Sequence, residues 1–185
     1  MVTLVQLKKI CPLSPRTRLA PLIAPMCAAM EEFEINTYMR VTAFIAQLAH
    51  ESGGFQFFAE IASGNAYNGK TGLGNDTPGA LRIAAAHGST PGPWWKGHGP
   101  IQITGYYNHL HCGNDLGLDL MNNPRLLELP EHGFRGAGWF WEVKKLNFWA
   151  DQGNFIRLTK MINGGTNGLE DRKAYYERAK AVLTP

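Results

Sequence analysis

Thr37-Tyr38-Met39-Arg40-Val41-Thr42-Ala43-Phe44-Ile45-Ala46-Gln47-Leu48-Ala49-His50-Glu51-Ser52-Gly53-Gly54 is the stretch on which the fold turns. Val41, Phe44, Ile45 and Leu48 recur at helical spacing, which predicts a buried helix from Thr37 to Glu51. Gly53-Gly54 ends it, because glycine takes the left-handed conformation after a helix without steric cost. Glu51 follows Leu48 by three positions and Phe44 by seven, so it shares their apolar face one turn further on. Partial desolvation and the negative end of the helix dipole both disfavour an ionised carboxylate there, the setting of a general acid. The alternative is an ordinary solvent-exposed Glu in a final turn.

Towards the N-terminus, an amphipathic helix after Pro25 buries Met26, Ala29, Met30 and Phe33, and Ser14-Pro15 reads as an N-cap with Pro at the first helical position. Towards the C-terminus, Asn68-Gly69 marks a turn and Thr77-Pro78 opens a short helix through Ala86. Gly88 to Gly105 is rich in Gly and Pro, with Gln102 between Ile101 and Ile103 in strand-like alternation. Asn123-Pro124 and Pro130-Glu131 start further helices. In the second of these, Phe134, Ala137, Trp141 and Lys145 share a face, and Gly138 permits close helix contact. Asn154 caps Phe155–Ile162, which Gly164-Gly165 stops. The last helix runs from about Leu169 to Leu183, with Ala174, Tyr175, Ala179 and Val182 inward. The expected architecture is a mainly α single domain over residues 1–185, its core about 37–183, with one small central strand-and-loop element. Sheet-dominated folds are excluded.

Composition narrows the classes. At 185 residues, 44% hydrophobic and 18% charged, the chain can bury a sizeable core. A formal charge of +3 is too mild for a protein that lives on nucleic-acid phosphates, but it favours approach to an anionic polymer. Nine Phe, six Tyr and five Trp suit a well-filled core or flat faces that stack on sugar rings. Cys11, Cys27 and Cys112 are odd in number, which predicts free thiols in a reducing compartment. No apolar run reaches membrane-spanning length, so stable membrane insertion is not expected. The apolar stretch Leu19 to Met30 is interrupted by Pro21 and Pro25 and runs straight into Glu31-Glu32. It is therefore not read as a signal peptide, and a cytoplasmic location is expected.

Three further segments can carry chemistry. Glu60 stands in Phe57-Phe58-Ala59-Glu60-Ile61, and a carboxylate in an apolar run needs partners. It is either a helix-surface Glu, a core ion pair with an arginine, or the second carboxylate of a pair facing Glu51 across a cleft, as acid and water-activating base do in glycoside hydrolysis. Gly97-His98-Gly99-Pro100-Ile101-Gln102-Ile103-Thr104-Gly105 presents Gln102 and Thr104 on one face if it alternates as a strand. Tyr106-Tyr107-Asn108 continues it with stacking and hydrogen-bonding groups. Ile162-Asn163-Gly164-Gly165 puts an amide at a helix end beside two glycines, where a ligand can approach the backbone.

Taken in order, His50-Glu51-Ser52-Gly53-Gly54-Phe55, the segment Gly99 to Asn108, and Ile162 to Gly165 with Asp171-Arg172 resemble glycoside hydrolase family 19, over roughly residues 40 to 180. More closely, the compact chain resembles the phage endolysin branch of that chitinase-like family. The resemblance implies a lysozyme-like, mainly helical fold and an inverting mechanism. It makes Glu51 the general acid, Glu60 the base, and Thr104 the hydroxyl that helps position the attacking water. It also makes His50, Gln102, Tyr107, Asn108, Asn163 and Arg172 substrate-binding positions. The family often reads Gly-Arg-Gly where this chain has Gly97-His98-Gly99, so the local charge there is expected to depend on pH. No cofactor and no metal are implied. The expected partner is peptidoglycan, cleaved at β-1,4 bonds by a monomer that reaches the wall through a holin.

Other readings compete. His109-Leu110-His111-Cys112 invites a metal site or a thiol nucleophile, but no second ligand pair at metal spacing accompanies it. Arg172, Lys173, Arg178 and Lys180 read more readily as a solvated helix face than as a nucleic-acid surface. Trp139-Phe140-Trp141 reads as core. Chitin remains open as a substrate. A lytic transglycosylase also uses a Glu-Ser pair and a later Gly-x-x-Gln-Ile segment, but it manages with one catalytic acid. A catalytically silent glycan-binding protein is disfavoured by the two carboxylates together with Thr104.

Overall fold

A computed structural model describes residues 1–183; residues 184 and 185, the end of the predicted domain, lie outside the described part. The helices are α1 (Leu4–Ile10), α2 (Arg16–Leu19), α3 (Ile23–Glu32), α4 (Tyr38–Glu51), α5 (Pro78–Ala86), α6 (Pro91–Trp94), α7 (Tyr106–Leu116), α8 (Pro130–Val143), α9 (Leu146–Asp151), α10 (Phe155–Asn163) and α11 (Leu169–Val182). The chain is mostly helical, as expected, and forms two compact units. The first comprises residues 1–56 and the chain from Gly138 on, and the second comprises Phe57–Ala137. No helix among the described residues is long and apolar enough to cross a membrane.

In the first unit α4 is the central element. Thr37 caps it, its hydroxyl accepting from the Arg40 N–H. Every residue from Thr42 to Ala49 is buried, whereas Val41 is only half-buried. The amphipathic stripe predicted from Val41, Phe44, Ile45 and Leu48 is therefore a helix enclosed on all sides. Ala43, Ala46 and Ala49 make this possible, because small side chains on the other faces let neighbouring elements come close. α11 packs along α4, and Trp141 of α8 meets Phe44 edge-on at 5.1 Å between ring centroids. At Gly138 a Cβ would run into the Phe33 ring, so the glycine admits a side chain just beyond α3 and not a second helix.

Several local expectations change in this unit. Ser14 does not cap α2, whose N-cap is Pro15; its hydroxyl donates instead to the Gly54 carbonyl at 2.6 Å. Lys145 lies past the end of α8 in a left-handed conformation (φ 54°) and is exposed, so it is not on the helix face. The inward residues of α11 are Arg172, Tyr176 and Ala179, with Ala174 exposed and Tyr175 and Val182 half-buried. Hydrophobic spacing alone cannot register a face whose first member is an arginine.

In the second unit Thr77 caps α5, its hydroxyl accepting from the Ala80 N–H, and Ala80, Ala84 and Trp95 form a fully buried cluster. Phe58 packs edge-on against Phe134 at 5.6 Å. The small central element consists of isolated antiparallel bridges, Ala59 to His98 and His98 to Ile103. The strand alternation predicted around Gln102 is absent. Gly99, Gln102 and Gly105 all have left-handed φ values (81°, 58° and 91°), which fold 97–105 into a tight turn. Tyr106-Tyr107-Asn108, read as a continuation of that segment, is instead the first turn of α7.

The three cysteines are free. Burial pushes the thiols of Cys11 and Cys112 up to about 12.

Candidate active site

Two polar groupings hold the predicted site residues, one in each unit. In the first, Glu51 occupies the last turn of α4, and Arg172 reaches it from the first turn of α11. Arg172 Nη2 donates to Glu51 Oε1 at 2.5 Å, and Nη1 donates to Gln47 Oε1 at 2.5 Å. Gln47 in turn donates to the Thr159 hydroxyl at 2.8 Å. The Arg172 Nε and the Asn163 side-chain amide both donate to the Asn167 carbonyl, at 3.3 and 2.8 Å. The arginine side chain is 2% exposed and that of Glu51 is 21% exposed. A guanidinium so buried must spend its donors on fixed acceptors, and Glu51, Gln47 and Asn167 supply them. Arg172 is thus a structural anchor for Glu51, not part of a solvated basic face.

His50 stands beside this network with Nδ1 2.7 Å from Asp171 Oδ2. Gly168 (φ 69°) lies against the His50 ring where a Cβ would overlap it, so the turn into α11 needs glycine for both conformation and space. His50, Glu51, Asn163 and Arg172, scattered over more than 120 positions of sequence, therefore come together. Gln47 and Asn167, the residues that complete the network, were not among the predicted positions. A buried Gln at the middle of an apolar helix was the available signal for the first of them.

In the second unit Glu60 is neither on a helix surface nor in an arginine pair. Its backbone N–H donates to the Gly97 carbonyl at 2.8 Å, and the Gly97 N–H donates back to Glu60 Oε2 at 2.9 Å. The Tyr67 hydroxyl donates to Oε1 at 3.0 Å. Lys96 Nζ donates to the Glu60 and Ala62 main-chain carbonyls at 2.8 and 3.3 Å. Neutral donors hold this carboxylate, in contrast to the guanidinium on Glu51.

Gln102 and Thr104 do not project side by side as strand residues. The Gln102 amide folds back to donate to the Gly99 carbonyl at 2.8 Å, and the Thr104 hydroxyl donates to the Gln102 carbonyl at 2.9 Å. Asn108 donates to the Thr104 carbonyl at 2.8 Å, and Tyr107 is 40% exposed with its ring stacked against His111. A left-handed non-glycine residue such as Gln102 stores backbone strain of the kind found at functional sites.

His98 is buried, with Nδ1 3.1 Å from Glu128 Oε1 and Nε2 3.4 Å from the Trp94 carbonyl. Burial pulls it below the ordinary histidine value, against the opposing pull of Glu128. Its neighbour His109, edge-on at 5.5 Å, is fully buried and pushed down to about 3, again by burial first. Nδ1 of His109 lies 2.8 Å from the Gly105 carbonyl. His109, His111 and Cys112 do not form a ligand set, since no three His, Cys, Asp or Glu side chains converge among the described residues. The buried, raised Cys112 thiol is equally unsuited to nucleophilic attack.

These imidazoles carry a pH prediction. Burial lowers both, so below about pH 6.5 the unfolded chain binds protons that the folded chain takes up only at lower pH. Stability therefore declines as the pH falls from 6.5 towards 3, by at most about 1.4 kcal/mol per pH unit for His109 alone. In His109→Asn the amide nitrogen replaces the Nδ1 donor and the titration is lost. Thermal melts between about pH 7 and 4 should show a shallower decline for this variant than for the wild type. Parallel curves would contradict the assignment.

The sequence pattern of a family described as chitinase class I matches residues 27–150, a span containing Glu51, Glu60 and the 97–108 segment but not Asn163 or Arg172. An endochitinase of Arabidopsis thaliana is 36% identical over 143 residues, covering 74% of this chain and 45% of its own. Chitinase C of Streptomyces griseus shares the fold with a TM-score of 0.76 at 18% identity, over 98% of this chain and 76% of that one. A class IV chitinase of Zea mays does so with a TM-score of 0.70 at 22% identity, over 96% and 90%. The chain belongs to glycoside hydrolase family 19. It spans about half the length of the curated relatives it matches.

Proposed function

We propose that this protein is an endolysin that hydrolyses β-1,4 bonds of bacterial peptidoglycan with inversion at the anomeric carbon. Glu51 protonates the departing glycosidic oxygen, and Glu60 takes the proton of the attacking water, with Thr104 helping to place that water. The observation that carries this reading is that each carboxylate is held in place by fixed donors. Arg172 Nη2 donates to one oxygen of Glu51, and the Tyr67 hydroxyl and the Gly97 N–H donate to the two oxygens of Glu60, the positioning that an acid and a base require. His50, Gln102, Tyr107, Asn108 and Asn163 bind the glycan, whereas the buried Arg172, expected to bind it too, orients the acid instead. The protein acts as a monomer, without cofactor, from the host cytoplasm once a holin has opened the membrane.

Peptidoglycan is favoured over chitin by two features. Only eight residues separate the two glutamates, which leaves little loop to enclose the substrate and room for peptide branches. The net charge of +3 also favours an anionic wall over a neutral polymer. Chitin hydrolysis is the second reading, because the relatives are named as chitinases. The test offers purified peptidoglycan and chitin oligomers to one enzyme preparation. New reducing ends from peptidoglycan, with chitin cleaved slowly or not at all, are expected. Rapid chitin cleavage with walls intact would make the protein a chitinase, and anhydro-sugar ends would make it a transglycosylase.

A further inference from the structure

We propose that Tyr67 is a positioning residue that sets the plane of the Glu60 carboxylate. The inference rests on Glu60 being the base. The terminal torsion of a glutamate is broad and nearly two-fold, so a single donor on one oxygen leaves the carboxylate free to swing. Here donors sit on both oxygens: the Gly97 N–H on Oε2 and the Tyr67 hydroxyl on Oε1. Gly97 also pairs with the Glu60 N–H, and Lys96 with its carbonyl, so the main chain is held independently of the phenol. Tyr67 therefore controls the orientation of the carboxylate and not the location of the residue. Each carboxylate oxygen retains a second lone-pair direction, which leaves Glu60 able to accept a proton from water.

Tyr67 is itself fixed. It ends a 3-10 turn, Asn65–Tyr67, that follows Gly64, and its N–H donates to the Gly64 carbonyl at 2.9 Å. Its own carbonyl accepts from the side chain of Asn75 at 2.9 Å. Asn75 is fully buried, and its other end accepts from the Tyr106 N–H at 2.9 Å. One side-chain amide thus ties the phenol's backbone to the start of α7. The phenol's own titration is raised, first by burial and then by its bond to Glu60, so it stays a donor at every pH where a carboxylate base works.

Tyr67→Phe should lower kcat about tenfold with KM within about twofold and the melting temperature nearly unchanged, since only the hydroxyl is lost and it touches Glu60. The same change made in Glu60→Gln should alter the residual rate less than about twofold, because the group it positions is no longer a base. A tenfold loss in both backgrounds would assign Tyr67 a role independent of Glu60 and overturn the inference. Wild-type kcat in Tyr67→Phe, with Glu60→Gln inactive, would also overturn it while leaving the base in place. Full activity in Glu60→Gln would remove the base role itself.

Discussion

Glu51→Gln lowers glycan hydrolysis by about a hundredfold or more while the protein remains folded. The amide has the shape of the acid but no proton to give the departing oxygen, and a positioned general acid contributes about 10²–10⁴-fold. The fold survives with a lower melting temperature: the amide oxygen still accepts from Arg172 Nη2, but the buried guanidinium loses its counter-charge. The check is initial rates on purified peptidoglycan together with a thermal melt of the same sample. A Glu51→Gln protein that clears walls at the wild-type rate would remove Glu51 from the mechanism.

Arg172→Met has the larger effect on stability. The substitution fills much of the volume but strands Gln47 and Glu51, and breaking a buried pair costs about 3–5 kcal/mol. Glu51 keeps a fifth of its side-chain surface in water, which places the expected loss near the lower figure. For a chain of this size a loss of about 3 kcal/mol lowers Tm by roughly 6–12 °C. Lys173, the next residue, is the control. Its pair with Glu170 is exposed on both sides, so Lys173→Ala should cost under about 1 kcal/mol. Combining Arg172→Met with Glu51→Gln should cost less than the two separately, because the second change removes the charge that the first leaves uncompensated. Equal melting temperatures for Arg172→Met and Lys173→Ala would refute the anchoring role.

Much of the local structure is legible in the sequence. Thr37, Thr77 and Asn154 cap helices where their side chains can meet an N–H three residues on, and Gly53-Gly54 and Gly164 stop helices with left-handed backbone. These are contacts within one turn, and the sequence by itself determines them because neighbouring residues cannot avoid each other. The resemblance also picked out Glu51 and Arg172 as site positions. Their direct contact is a tertiary fact, since 121 positions separate them and the run of basic residues on the last helix reads as a solvated face. The same limit hid Tyr67, whose hydroxyl finds Glu60 only once the turn at 65–67 is built. It also concealed the turn at 97–105, where Ile101-Gln102-Ile103 alternates like a strand but Gln102 is left-handed. Sequence periodicity records which side chains avoid water on average. Which donor a buried carboxylate meets, or which acceptor a buried guanidinium meets, is decided by distant segments closing on it, because an unpaired buried charge costs more than any local preference can offset.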